Sequence, residues 1–324
     1  MWHGREGIRR AAFRRVLLGH GGEMSELETL ALIALLQRDK SRWSDIRTDL
    51  EKRSASLILA RDTPVELIGD GFQESIDAAE SALRGWEADG IGVASIYSDD
   101  YPTQLRSVHD YPPLLFWRGH FDAADESSVA VVGTRNPSEG AERFIREVIP
   151  LIAEDGHPVV SGLARGVDSA AMRASLEFGN RTIGIVGTGI RGAYPPENRD
   201  LQEQVAVEHL LLSQFWPDAP PTKVSFPMRN HVMSAFASMT LIVEAGENSG
   251  TRIQARAATR HARPVIITRA VYQSTNWAKD LVEKQFDVSV VANAQEAIQA
   301  VRAIAARPTQ TPVWSERVLT PAGA

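Results

Sequence analysis

The sequence predicts an α/β protein: a mostly parallel sheet with helices on both faces, preceded by a small helical domain. Three observations predict it. Between Val129 and Ile304, apolar runs of strand length alternate with helical patterns, the signature of a parallel sheet covered on both sides. Before residue 90 the apolar residues recur at helical spacing instead. After the strands come loops rich in glycine and small polar residues, at the end of such a sheet where ligands bind.

The chain begins with an Arg-rich stretch. Arg5, Arg9, Arg10, Arg14 and Arg15 face only Glu6 and Glu23 up to residue 23, with no apolar core for a secretory signal. The stretch reads best as an upstream extension, with a transit peptide or a phosphate-touching arm as the other readings. From Ser25, a plausible N-cap, Leu27, Leu30, Ala31, Ala34 and Leu35 share one helical face. A polar, partly helical stretch from Trp43 to Leu59 separates this helix from a second, Gln73 to Glu87. Residues 24–90 are thus a helical domain that packs against a neighbour or a partner.

Residues 91–125 are a connector with short apolar runs at Val93–Tyr97 and Leu114–Trp117, broken by Tyr101-Pro102 and Tyr111-Pro112-Pro113. The sheet domain spans 126–305. Its strands are expected at Val129–Val132, Pro158–Ser161, Ile183–Val186, Leu210–Ser213, Leu241–Glu244, Val265–Thr268 and Val288–Val291. Helices are expected at Ala141–Ile152 and Ser169–Phe178 between them. Residues 306–324 read as a disordered tail.

Composition excludes several classes. A length of 324 residues suits two domains, and 43% hydrophobic with 23% charged residues is a globular balance. No apolar run approaches the roughly 20 residues that span a bilayer. A net charge of -6 excludes a globally basic nucleic-acid binder but not a locally basic one. With no cysteine there is no disulfide, thiolate metal site or cysteine nucleophile, and a reducing cytosol is permitted. The eight histidines show no metal-ligand spacing, and nothing resembles a nucleophile triad.

The loops after the strands carry the chemistry. They hold Gly133, Arg135 and Ser138; then Ser161, Gly162, Arg165, Gly166 and Asp168; then Gly187, Gly189 and Asn198; then Gly250 and Thr251 at the start of a helix. Any one of them alone is as well read as a tight turn. Together they favour a phosphate-bearing ligand, because glycine admits phosphate to the backbone and helix N-termini attract anions. The fingerprint GxGxxG is absent, which disfavours an ordinary NAD enzyme. From Lys223 to Arg263 the cations Lys223, Arg229, Arg252, Arg256, Arg260 and Arg263 face only Glu244 and Glu247. Arg252, Arg256 and Arg260 form one stripe of a helix, which is equally a solvated face. The apolar neighbours of Arg229 suit a partly buried arginine with a partner.

The motifs VVGTRNPSEG at 131–140, SGLARGVDSAA at 161–171, GTGI at 187–190, YPPENRDL at 194–201, FPMRN at 226–230 and EAGENSGT at 244–251 resemble, in order, the DNA-processing protein A (DprA, or Smf) family. The resemblance runs from about Ile91 to Ile267. It implies an extended Rossmann-like domain that binds single-stranded DNA without a catalytic reaction or cofactor. It also implies a cytoplasmic homodimer that protects incoming strands and helps load a RecA-type recombinase in natural transformation. On this resemblance Arg135, Arg165 and Arg229 face phosphate, Asp168 orders its loop, and Asn230 meets a base edge or holds the loop.

Several positions depart from the family pattern. Met172 stands for a histidine, Gln214 for an acidic residue, His231 for the second arginine of the FPxRNR motif, and Thr268-Arg269 for Pro-Gly. His231 is expected to weaken DNA binding or make it pH-dependent. No segment reads as the winged helix found in many members. Two competing readings use the same rim: a small-nucleotide sensor, and a phosphoribohydrolase-like enzyme whose catalytic glutamate position is Gln254 here.

Overall fold

The computed structural model describes residues 21–38, 46–62 and 70–307. The arginines of the N-terminal extension and the tail from 308 onward lie outside the described residues, as does Trp43. Contacts divide the described chain into two units. One contains the residues up to Tyr101 together with Pro112–Leu115, and the other contains Pro102–Tyr111 and the residues from Phe116 onward.

The smaller unit holds helices α1 (Gly21–Arg38), α2 (Ile46–Leu50), α3 (Ala55–Asp62) and α4 (Asp70–Ala88), and strand β1 (Gly92–Ser95). The helix begins before Ser25, so Ser25 is not its N-cap; its hydroxyl donates to the Tyr97 carbonyl at 2.5 Å. Nor is α1 buried on a single stripe. Leu30 to Leu36 are all buried, so α1 is enclosed by the unit around it. Within that enclosure the Glu28 carboxylate accepts from the Ser56 N–H at 3.0 Å and from the Ser56 hydroxyl, which satisfies a buried charge.

The larger unit is the sheet domain. Helix α5 (Thr103–Arg106) comes first, followed by β2 (Leu114–Gly119), β3 (Val129–Val132), α6 (Glu139–Glu154), β4 (Val159–Ser161) and α7 (Val167–Glu177). There follow β5 (Thr182–Ile185), α8 (Arg199–Glu208), β6 (Leu210–Ser213), α9 (Ser225–Phe236), β7 (Met239–Ile242) and α10 (Thr251–Arg260). The chain ends in β8 (Val265–Thr268), α11 (Arg269–Ser274), α12 (Asn276–Glu283), β9 (Val288–Val291) and α13 (Ala294–Ala305). The strand order is β2-β6-β5-β4-β3-β7-β8-β9. All pairs from β6 to β9 are parallel, and β2 runs antiparallel to β6, with Trp117 opposite Leu212. The order reverses at β3, which pairs with β4 on one side and β7 on the other. That is the topological switch point.

Each central strand is buried along its whole length, as a sheet covered on both faces requires. On one face Val129 and Val131 pack with Phe144, Ile145, Val148 and Ile149 of α6, and with Ile298 and Val301 of α13. Strand β7 lies two residues earlier than the sequence indicated, so Glu244 is not in it but in the loop beyond. Among the described residues no helix is long and apolar enough to cross a membrane.

Ile149 is fully buried in this layer, so Ile149→Ala should lower unfolding free energy by about 2–5 kcal/mol. Arg146, on the exposed face of the same helix, should change it by less than about 0.5 kcal/mol when replaced by alanine. Urea unfolding of the two variants checks both.

Candidate functional site

The run Phe226 to His231 is not a loop. It forms the first turns of α9, where Pro227 is tolerated because the first helical N–H groups lack intrahelical acceptors. Helical geometry carries Arg229 inward, and only 6% of it remains exposed. The expectation that Arg229 faces phosphate is therefore corrected: its guanidinium faces backbone. Nη1 donates to the Gly162 carbonyl and, at 2.8 Å, to the Ile185 carbonyl, while Nε donates to Asn230 Oδ1 at 3.0 Å. Asn230 Nδ2 in turn donates to the Gly250 carbonyl at 3.4 Å. One side chain thus ties the carboxyl ends of β4 and β5 to α9, and its neighbour ties α9 to the start of α10.

Asp168 completes this network. It is buried, and its Oδ2 accepts from the Gly162 N–H at 3.1 Å. Burial raises its pKa, against the opposing pull of the Arg229 charge and the loop hydrogen bonds. Burial likewise lowers that of Arg229, against the attraction of Asp168. The two charges compensate each other in a place that would tolerate neither alone. Asn198, also buried, donates to the Leu163 and Ala164 carbonyls at 2.9 and 3.3 Å and holds the same loop from the other side.

The glycines make room for these contacts. A Cβ on Gly162 would sit 1.7 Å from Arg229 Nη1. Gly166 has φ +77° and would place a Cβ 2.4 Å from the Thr134 carbonyl, a position that only glycine fills without strain. Gly133, Gly187 and Gly189 are also filled by protein: Val167, Phe226 and the Trp216–Pro217 carbonyls approach them. Gly250 alone of the candidate glycines faces open space.

At the switch point the loop after β3 meets the loop after β7. The Thr134 N–H donates to the Glu244 carbonyl at 2.7 Å, and the Ser138 N–H donates to a Glu244 carboxylate oxygen at 2.8 Å. Ser138 caps α6 itself, accepting from the Ala141 N–H at 3.2 Å. The N-terminus of α6, where an anion would dock, thus already holds a carboxylate. Ser161 is buried and donates to the Val131 carbonyl at 2.7 Å. Thr251 is buried, with its hydroxyl accepting from Ser249 at 2.9 Å.

The remaining cations divide into exposed and spent. Arg135, Lys223 and Arg256 are exposed. Arg165 is also exposed and pairs with Glu197, a contact that raises the pKa of the arginine and lowers that of the glutamate. Such an exposed pair opens readily. Arg252 is half-buried, with no hydrogen-bond partner for its buried Nε among the described residues. Arg263 is spent on the Gln104 and Ala235 carbonyls and the Ser107 hydroxyl. Among the aromatic residues, Tyr194 is 42% exposed and packs on Phe226 at a ring distance of 5.3 Å, while Trp216 packs on Phe116 at 5.6 Å. Gln254 is buried, its Nε2 3.5 Å from the Thr240 hydroxyl, and Met172 is fully buried.

Two features had no visible sequence signal. Glu244 enters the rim because β7 ends early. Asp110, His231 and His261 converge although 121 and 30 residues separate them in turn. Burial pushes the Asp110 carboxyl up, but hydrogen bonds from the two imidazoles hold it well below the usual carboxylate range.

Fold and rim define a Rossmann-like α/β protein whose carboxyl-end loops are knitted by a buried arginine and fringed by exposed cations. The chain belongs to the DNA recombination-mediator protein A family, whose model matches residues 92–302. The DNA processing protein DprA of Bacillus subtilis is 35% identical over 184 residues, 56% of this chain and 62% of that protein, so the chain spans under two thirds of its relative. The structure of DprA from Streptococcus pneumoniae superposes with a TM-score of 0.63 at 27% identity, covering 87% of this chain and 98% of that one. DNA processing protein A from Helicobacter pylori, described for its single-stranded DNA binding mode, superposes with a TM-score of 0.57 at 26% identity over 65% of this chain and 96% of that one.

Removing the Arg229 side chain leaves Asp168 buried without its counter-charge. Arg229→Ala should therefore cost about 3–5 kcal/mol of stability. Arg135→Ala, at an exposed position, should cost less than about 0.5 kcal/mol. Thermal and urea unfolding would distinguish the two, and equal losses would contradict this division of roles.

Proposed function

We propose that the protein binds single-stranded DNA across the carboxyl-end rim of its sheet, as a mediator that holds strands and helps load a RecA-type recombinase. The observation that carries this reading is the separation of its cations. Arg229 and Arg263 are consumed by the scaffold, whereas Arg135, Arg165, Lys223 and Arg256 stand exposed on the loops after β3, β4 and β6 and on α10. Such a fringe suits an extended phosphate chain better than a compact phosphate, whose usual seat at α6 is taken by Glu244. The single-strand binding described for the Helicobacter pylori relative supports the same ligand. Tyr194, backed by Phe226, offers a face for base stacking, worth about 1–3 kcal/mol per base.

On this reading the protein performs no chemical step, works in the cytoplasm and acts as a homodimer. The hydrolase alternative lacks its base: Gln254 is an amide, buried and turned toward Thr240. On this reading the sheet domain at 126–305 carries the binding, separate from the helical domain at 24–90.

Fluorescence anisotropy with a labelled oligothymidylate should give affinity that falls steeply with salt. Arg135→Ala, Lys223→Ala and Arg256→Ala should each weaken binding, and each lost phosphate contact should reduce the slope of log K against log salt by about 0.7. Wild-type affinity and slope in all three variants would refute the placement of the strand.

A further inference from the structure

The cluster of Asp110, His231 and His261 is not part of the rim contacts described above. Asp110 lies in the segment 102–111, His231 on α9, and His261 directly after α10. Each carboxylate oxygen of Asp110 takes one imidazole: Oδ2 lies 2.6 Å from His231 Nδ1, and Oδ1 lies 2.6 Å from His261 Nε2. The three ligand atoms all lie within 4.8 Å of one another. The His261 side chain is wholly buried, Asp110 is 14% exposed and His231 27%, so the cluster is largely buried and reaches solvent through His231 and Asp110.

The surroundings of His261 carry the argument. Its Nδ1 is 2.8 Å from the Ser234 hydroxyl, which donates to the His231 carbonyl at 3.0 Å. Ser234 has one hydrogen for these two neighbours, and in the tautomer where it goes to the carbonyl the His261 Nδ1 donates to the hydroxyl. The Nε2 lone pair of the neutral ring then points at the Asp110 carboxylate. In that tautomer the place between them suits a metal ion. The Nδ1–H to hydroxyl contact is the outer-shell hydrogen bond that metal-bound histidines ordinarily have.

We propose that Asp110, His231 and His261 bind a divalent transition-metal ion of the Zn²⁺ type, with water completing the coordination. One carboxylate and two imidazoles are a standard N/O set for such ions. Ligand atoms now in direct hydrogen-bond contact need only part slightly to admit the ion. His231 then ligates through Nδ1, and its proton moves to Nε2. Arg260, whose Nη2 lies 3.1 Å from that Nε2, swings away, as its exposure allows. Arg263 stays fixed on Gln104 and Ser107. The ion joins the segment 102–111 to α9 and α10, so binding is coupled to stability.

The test uses untagged protein treated with chelator and then titrated with Zn²⁺ or Co²⁺ near neutral pH. One ion should bind per chain, raise the melting temperature and, for Co²⁺, give visible d–d absorption. Asp110→Asn and His231→Gln should abolish this response, and Ser234→Ala should weaken binding by about 10-fold or more. His157→Gln, whose ring meets the Ser127 carbonyl elsewhere, should bind as wild type. Folded wild-type protein that takes up no stoichiometric metal would overturn the proposal. Undiminished binding in both Asp110→Asn and His231→Gln would overturn it as well.

Discussion

The buried guanidinium of Arg229 is the contact on which the rim depends. Parallel strands end in carbonyls that the sheet itself cannot pair, and in this protein two of those ends are gathered by one side chain, at Gly162 and Ile185. An arginine suits the place because its planar fork meets several acceptors at once and its charge resists neutralisation. Asp168 makes the burial tolerable, and also pins the Gly162 N–H from the other side. The loops after β4 and β5 and the start of α10 are therefore one connected structure. That structure fixes where the neighbouring exposed cations stand.

A net charge of -6 suggests little affinity for DNA, yet net charge averages over the whole surface. What matters is which cations are already paired. The segment from Lys223 to Arg263 reads as basic on balance, but it divides into arginines that hold the fold and cations that face solvent. Glu244 sharpens the division, because it fills the N-terminus of α6 with a carboxylate and leaves the ligand to the exposed fringe.

Much of the fold was legible in the sequence because parallel strands are short apolar runs punctuated by glycine. Strands β3, β6, β8 and β9 begin and end where the pattern predicts. The first helix was legible as a helix, but its enclosure was not, because a stripe of five apolar residues says nothing of what covers Leu32, Ile33 and Leu36. Two limits concern the site. The apolar neighbours of Arg229 suit a buried arginine, while the family resemblance sets it against phosphate, and the helical geometry of α9 turns it toward the strand ends. The meeting of Asp110 with His231 and His261 depends on tertiary packing, which no local spacing encodes.

The most direct test is a crystal structure of the protein with a short single strand of DNA. The account predicts phosphates within hydrogen-bond distance of Arg135, Lys223 and Arg256, with Arg229 still bound to the Gly162 and Ile185 carbonyls. Arg229 turned outward onto a phosphate, with those carbonyls released, would contradict it.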